Sequence, residues 1–565
     1  MLEERRHSPG TGPADAAPDD TASAKAVPEN RAMNEDTAPR EDKLVPDKAT
    51  SPAALRVWRD PWTWGIAALV FGAYLVISLY RLWTLTPSSW DLGIYTEYVK
   101  QWADLHPPIV DVRGPAFNLL GDHFQVIVAL IAPFFRLFPT PATLLVVQAL
   151  LTALSVFPVV QAGNALLGPD AAGRARAIGF AYGFSWGLQQ MVDFDFHEIA
   201  FAVPLLAFSL SALVRGRVRA TVCWALPMVL VKEDQGFTIA VIGILMWLAS
   251  VRGWKRLAAS APAGLFLACW GVGCSLIEIS WIIPHFNATH RYAYWDLGGV
   301  VGGGPGFSVG GLLAQLGQAY PVKLQTLALL LLPTAFIALG SPVAAVVIPS
   351  ILLRFIATNP YYWGTMWHYN ATAMPILFIA AIEAMACWRQ AGAGGRRAGG
   401  DEAAAGGRRA GGDEAGAELS AAGWAGAVRD KWRTVTAAAG RHGAAMMAAL
   451  AVALAFQFPL SHLWNGQTYE IGPNVAADQA AMAVVPNGAT VTTTLNLLAP
   501  LAARCDTFWV GNSGNPDTQY VVFDGPNSGY SPAVTDVPSF IKQLYPGAAY
   551  QQVFQDDGVY VFKLR

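Results

Sequence analysis

Between Trp62 and Leu463 the chain returns repeatedly to apolar runs long enough to cross a bilayer. A bilayer core is about 30 Å thick and takes about 20 apolar residues of helix. Inside it every backbone N–H and C=O must be paired within the protein, which leaves helices as the element such runs can form. Hydrophobic residues make up 53% of the sequence and charged residues only 14%, far from the balance of a soluble domain. The predicted fold is therefore mainly α, a polytopic transmembrane helical bundle.

About eleven spans are expected from run length. They cover roughly Trp62–Leu82, Ala142–Leu167, Ile178–Val192, Ile199–Val214, Thr221–Val231, Phe237–Val251, Leu257–Pro284, Leu324–Leu339, Pro342–Ile356, Ala371–Trp388 and Ala444–Leu463. Phe124–Phe138 is apolar but short and carries Pro133, so it reads as a re-entrant or half-span. Arg174 and Arg176, then Arg215, Arg217 and Arg219, then Arg252, Lys255 and Arg256 mark three loops as cytoplasmic by the positive-inside rule. Parity favours the re-entrant reading, because a crossing at Phe124–Phe138 would move those loops to the other face.

The domain plan follows. Residues 1–55 are polar, without an apolar core, and read as a disordered cytoplasmic tail and not a signal peptide. Residues 56–390 form the transmembrane domain, with outward loops at 83–123 and 285–321. Residues 391–441 hold a Gly-, Ala- and Arg-rich decapeptide that repeats almost at once, expected to be a flexible cytoplasmic loop. Residues 442–464 supply the last span. Residues 465–565 alternate short strands (Ala489–Thr494, Thr507–Gly511, Gln519–Asp524) with helices (Leu497–Ala503, Val537–Tyr545) and end in a hairpin turned at Asp556-Asp557-Gly558. That pattern predicts a small extracytoplasmic α/β domain. The five cysteines, mostly within apolar runs, suggest no disulfide framework.

The expected topology brings Asp91, Asp122, His123, Asp193, Asp195, His197, Glu198, Lys232, Glu233, Asp234, His290, Arg291, Arg354 and His368 to one face. Six of the nine histidines lie there too: His106, His123, His197, His285, His290 and His368. Outward loops are where polar residues collect, which accounts for His106, His285 and Asp104. Lys232-Glu233-Asp234 is different, since it abuts two apolar helices with almost no loop, and charge at that depth usually marks function. The triplet is read either as a substrate site or as a salt-bridged structural link. Leu92, Tyr95, Val99 and Trp102 recur at helical spacing, predicting an amphipathic helix along the membrane surface.

Two chemistries fit these residue types. An acid beside the first span could take the proton of an acceptor hydroxyl while the donor's leaving group departs as a phosphate. Lys232, Arg291 or Arg354 could neutralise that phosphate. Alternatively Asp91, Asp122, His123, His197 and Glu198 could hold a divalent metal, Mg²⁺ or Mn²⁺ for carboxylates and Mn²⁺ or Zn²⁺ with histidines, although no pair has a diagnostic spacing. The sequence contains no P-loop, dinucleotide fingerprint or nucleophile elbow.

The motifs Trp90-Asp91-Leu92-Gly93-Ile94-Tyr95, Gly121-Asp122-His123-Phe124, Ala132-Pro133-Phe134-Phe135-Arg136-Leu137-Phe138-Pro139, Phe196-His197-Glu198, Val231-Lys232-Glu233-Asp234 and His368-Tyr369-Asn370 occur in that order. Together they resemble the uncharacterised membrane family called domain of unknown function 2079, over about residues 60–390, and the tail at 465–565 is similar to that family's continuation. The family in turn resembles the GT-C glycosyltransferases, which take sugar from a polyprenyl-phosphate lipid. The resemblance implies a GT-C-like bundle with Asp91 as the catalytic acid of the first outward loop. Asp91 departs from the superfamily pattern in standing alone, followed by Leu92 and not by a second acid. It implies Asp122, His123, His197 and Glu198 as supporting or metal-binding groups. Lys232, Glu233, Asp234, Arg291, Arg354 and His368 fall to phosphate or substrate. Expected partners are membrane lipids and a polyprenyl-phosphate sugar donor, not nucleic acid, at the plasma membrane. The rival readings are a transporter or flippase and a non-enzymatic envelope-assembly protein.

Overall fold

The computed structural model describes residues 57–565 apart from Ser88 and residues 169–170, 255–256, 296–307, 406–420 and 531–532. The expected tail at 1–55 and residues 296–307 of the outward loop 285–321 lie outside the described residues.

Among the described residues, six helices are long and apolar enough to cross a membrane: Pro61–Trp83, Pro141–Leu166, Gln235–Arg252, Ala261–Phe286, His368–Gln390 and Thr434–Ala455. The other five expected spans are shorter or broken. Ile178–Val192 divides into Ala172–Gly183 and Trp186–Asp193. Thr221–Val231 turns to 3₁₀ geometry at Leu226–Leu230, where Pro227 removes a helix donor. Leu324–Leu339 breaks at Ala335 and Phe336, both left-handed. Ile199–Val214 and Pro342–Ile356 form shorter apolar helices. Irregular backbone at this depth is tolerable where protein covers it, and the helix Ala202–Val214 is buried along nearly its whole length. Val126–Leu137 spans about 20 Å of mixed 3₁₀ and α-helix, short of the bilayer core.

The first span starts where the sequence provides a stop and a tether. Pro61 occupies the first turn, where its missing N–H costs nothing. Asp60 accepts from Thr63 Oγ1 at 2.7 Å and from Arg176 through Nε at 2.9 Å and a terminal nitrogen at 2.7 Å. That bidentate pair ties the entry of the first span to one of the basic loops.

The hairpin Gln235–Arg252 with Ala261–Ile277 packs backbone against backbone. A Cβ added at Gly243 would meet Gly264 O at 2.5 Å, and one added at Gly236 would collide with Gly271 O. Small residues permit this approach between helices in lipid. Gly243→Val is therefore expected to separate the hairpin. Its helix-propensity gain is under about 1 kcal/mol, while overpacking costs about 1–3 kcal/mol and here meets backbone that cannot rotate away. A lowered thermal midpoint of the purified protein would register it; an unchanged midpoint would contradict the packing.

The repeat region is more helical than expected. The helix from Ala373 runs to Ala405 and a second occupies Ala421–Ala455, so the flexible-loop reading does not hold over residues 391–405 and 421–441; residues 406–420 lie outside the described residues. Alanine and arginine are strong helix formers and offset the scattered glycines.

The C-terminal region is the small α/β unit the alternation predicted. Strands β1 (Thr490–Thr493), β2 (Asp506–Trp509), β3 (Tyr520–Asp524), β4 (Tyr550–Asp556) and β5 (Val559–Leu564) form one sheet in the order β2-β1-β3-β5-β4. The first three are parallel and β3, β5 and β4 antiparallel. This unit docks on the membrane body. Leu498, Ala499 and Ala502 are buried in the same core as the spans, and a Cβ added at Gly93 would stand 3.0 Å from Leu498 Cβ. The docking corrects one expectation. The helix Asp91–Ala103 is not an amphipathic helix with a wet face, because residues on all its sides, including Glu97, are buried. A period of 3.6 reports one buried face; it carries no sign that a distant segment covers the other.

Candidate functional site

A cavity of about 370 Å³ lies between the helix that begins at Asp91 and the ends of the spans, within the size range of small-molecule sites. Asp91, Asp122, His123, His197, Lys232, Glu233, Asp234, Arg354 and His368 all line it. Glu198 stands directly behind. It is fully buried, pairs with Lys232 Nζ at 3.2 Å and His197 Nδ1, and accepts the hydroxyl of Tyr95. Arg291 is the exception: it is exposed and does not line the cavity, whereas its neighbours Tyr292 and Tyr294 do.

Asp91 is the first residue of its helix, where the helix dipole favours a carboxylate. Ser89 Oγ donates to its Oδ2 at 2.5 Å. Burial pushes the Asp91 carboxyl above the usual aspartate range, only partly opposed by His197 and Ser89. Gly121-Asp122-His123 is clamped to the end of the Ala261–Phe286 helix. A Cβ at Gly121 would sit 2.6 Å from Phe286 backbone atoms, and Asn287 Nδ2 donates to Gly121 O at 2.8 Å.

The Lys232-Glu233-Asp234 triplet forms the salt-bridged link that was one of its two readings, and it also lines the cavity. Glu233, 1% exposed, is a structural hub: it meets His123 Nδ1 at 2.7 Å, accepts from Phe124 N at 3.2 Å and accepts Tyr292 OH at 2.7 Å. Burial favours its neutral acid, but His123 and Lys232 outweigh that and bring it down to about 2. His123 moves upward for the same reason, against its own burial. Lys232 keeps its charge: burial opposes it, yet Glu198, Glu233 and Asp234 hold the ammonium well above the ordinary lysine value. It therefore presents a permanent cation to the cavity.

Arg354 is reassigned. Its Nε donates to Tyr362 O at 2.9 Å, one terminal nitrogen to Tyr369 O at 3.1 Å and Asn370 Oδ1 at 3.0 Å, and the other to Gly364 O at 3.1 Å. Four of its five N–H donors thus hold the loop Tyr362–Asn370 in place, which is a scaffolding role and leaves little to give a phosphate. That loop presents His368, which stacks on His197 with ring centroids 3.4 Å apart and has no hydrogen-bond partner on either ring nitrogen among the described residues. Trp367 beside it is left-handed at φ 70°, an unfavourable conformation for a bulky residue.

The metal reading does not fit. Among the described residues no three His, Cys, Asp or Glu side chains come together as a ligand set. His123 is committed to Glu233, and Glu198 to Lys232, His197 and Tyr95. Asp122 accepts Tyr294 OH at 3.0 Å and pairs with Arg113 Nε at 3.7 Å. No step below runs through a metal.

Arg113 is a charged cavity residue that sequence reasoning missed. Its guanidinium lies 5.0 Å from the Trp90 ring centre and 5.3 Å from that of Phe117. The available signal was modest: loop 83–123 holds two Lys or Arg residues, Lys100 and Arg113, and Lys100 faces away, donating to Cys505 O at 2.5 Å. Tyr294, stacked on His123 at 4.4 Å, was likewise unmarked in sequence.

An apolar helical body with one cavity lined by acids, cations and aromatics defines a polytopic membrane protein with a built polar site at the end of its spans. Within that class the chain belongs to the family described as predicted membrane protein (DUF2079), which residues 81–399 match. No curated protein matches it. Among solved structures, the chain is similar to ArnT from Cupriavidus metallidurans bound to undecaprenyl phosphate, at 12% identity and TM-score 0.44, covering 89% of this chain and 98% of that one. It is also similar to the same protein in the apo state, at 14% identity and TM-score 0.43, covering 89% and 97%. Likeness at this level fixes no chemistry.

Proposed function

We propose that this protein transfers a sugar from a polyprenyl-phosphate donor to an acceptor hydroxyl, at the outer face of the membrane. The observation that carries the reading is the meeting of Asp91 with Lys232 and Arg113 around the same cavity. The Asp91 carboxylate takes the acceptor's proton as that oxygen bonds to the anomeric carbon. The bond from that carbon to the phosphate oxygen breaks, and polyprenyl phosphate leaves with the electron pair. Lys232 and Arg113 balance the charge that stays on the phosphate. His368, with two free ring nitrogens, and the aromatic walls Tyr294 and Tyr369 offer hydrogen bonds and flat apolar faces to the sugar ring.

The test is a purified, reconstituted protein given a panel of polyprenyl-phosphate sugars, with release of polyprenyl phosphate as the readout. Transport of a solute across liposomes without any binding of a lipid phosphate would overturn the reading in favour of a transporter. The reading also sets a pH dependence. A raised Asp91 pKa means that transfer is lost as pH falls through that value, so the acid limb should lie above the ordinary aspartate pKa of 3.8. An acid limb at or below that value would exclude Asp91 as the titrating base.

A further inference from the structure

We infer that the C-terminal domain is part of the phosphate site, with Trp509 positioning Arg113 through Trp90. The inference rests on the assignment of Arg113 to the phosphate made above. Trp509 closes β2, at the carboxyl edge of the parallel strands, which is the edge where open α/β sheets place ligands. Here that edge is turned onto loop 83–123. The Trp509 ring meets Trp90 edge to face, with centroids 4.9 Å apart. Trp90 lines the cavity, and its ring is the platform on which Arg113 rests, 5.0 Å away.

A second hold acts on the same segment. Asn512 Nδ2 donates to Val112 O at 3.0 Å, immediately before Arg113, while Val112 N donates to Glu97 Oε2 at 2.9 Å. The backbone that carries Arg113 is thus gripped on one side by the helix Asp91–Ala103 and on the other by the C-terminal domain. Gly511 belongs to this device. A Cβ there would overlap the six-membered ring of Trp509, so only glycine lets the indole fold back over the turn.

The guanidinium needs such support. Its carboxylate partner among the described residues, Asp122, is 3.7 Å away, a loose contact, and its side chain is 33% exposed. A long cation with one loose ion pair keeps its rotamer freedom unless something planar holds it, and ordering such a side chain on binding costs affinity. Trp90, fixed from behind by Trp509, removes part of that cost before the ligand arrives.

Binding of undecaprenyl phosphate to the full-length protein in nanodiscs tests this. Trp509→Ala should raise Kd about two- to fivefold, the scale of a partly exposed cation–π platform, and Trp509→Phe should recover most of it. Asn512→Ala and Gly511→Ala should each weaken binding in the same direction; they decide the matter if Trp509→Ala does not fold. In a double-mutant cycle, Trp509→Ala should add nothing to Arg113→Ala, because Trp509 acts on the phosphate only through Arg113. Losses that multiply would overturn the inference, since Trp509 would then act elsewhere. Variants that bind like wild type would overturn it while leaving the proposed function intact. A wild-type protein that binds no undecaprenyl phosphate would overturn both.

Discussion

Asp91→Asn is expected to give a folded, membrane-inserted protein that still binds polyprenyl phosphate but transfers sugar about 10²–10⁴-fold more slowly, the usual loss when a general base is removed. The substitution is nearly isosteric and keeps an oxygen for the Ser89 hydroxyl, so the start of the helix at Asp91 should survive. What it removes is the carboxylate that accepts the proton. A single-turnover assay with preloaded lipid donor separates the chemical step from binding. Full transfer by the variant would leave the class of reaction standing but move the base elsewhere.

Lys232→Ala should have a second large effect, on both stability and ligand binding. It strips the cation 3.2 Å from a fully buried Glu198. Removing one partner of a buried pair costs about 3–5 kcal/mol, because the remaining charge stays desolvated. Tyr95 and His197 soften that loss without cancelling it. The variant is therefore expected to unfold at markedly lower temperature and to lose affinity for the lipid phosphate. The double variant Lys232→Met with Glu198→Gln separates the two consequences. It leaves no buried charge at the pair, so the midpoint should recover, while binding of the phosphate should not. Recovery of both would assign Lys232 to scaffolding alone.

Lys232 and Arg354 show why the distinction needs the structure. Both are cations at the membrane end of a helix, and the sequence offers the same role to each. In three dimensions Arg354 spends four donors on carbonyls of its own loop, whereas Lys232 is embedded among acids and faces the cavity. The two residues differ in how many donors remain for a ligand, and no local pattern encodes that number.

The sequence by itself determined the helical membrane body, the short segment after His123, the alternation of the C-terminal sheet domain and the set of polar motifs. Each of these is a statement about burial or turn chemistry over neighbouring residues, which hydrophobic periodicity and Pro, Gly and Asp placement report directly. Only the tertiary structure decided who meets whom. His123 finds Glu233 across 110 positions, Glu198 finds Lys232, and Trp90 finds Trp509. It also decided that five expected spans are short or broken and that the Asp91 helix is covered on both sides. The reason is physical. A residue's propensity depends on its neighbours in the chain, while the partner of a buried charge is chosen by the packing of the whole molecule.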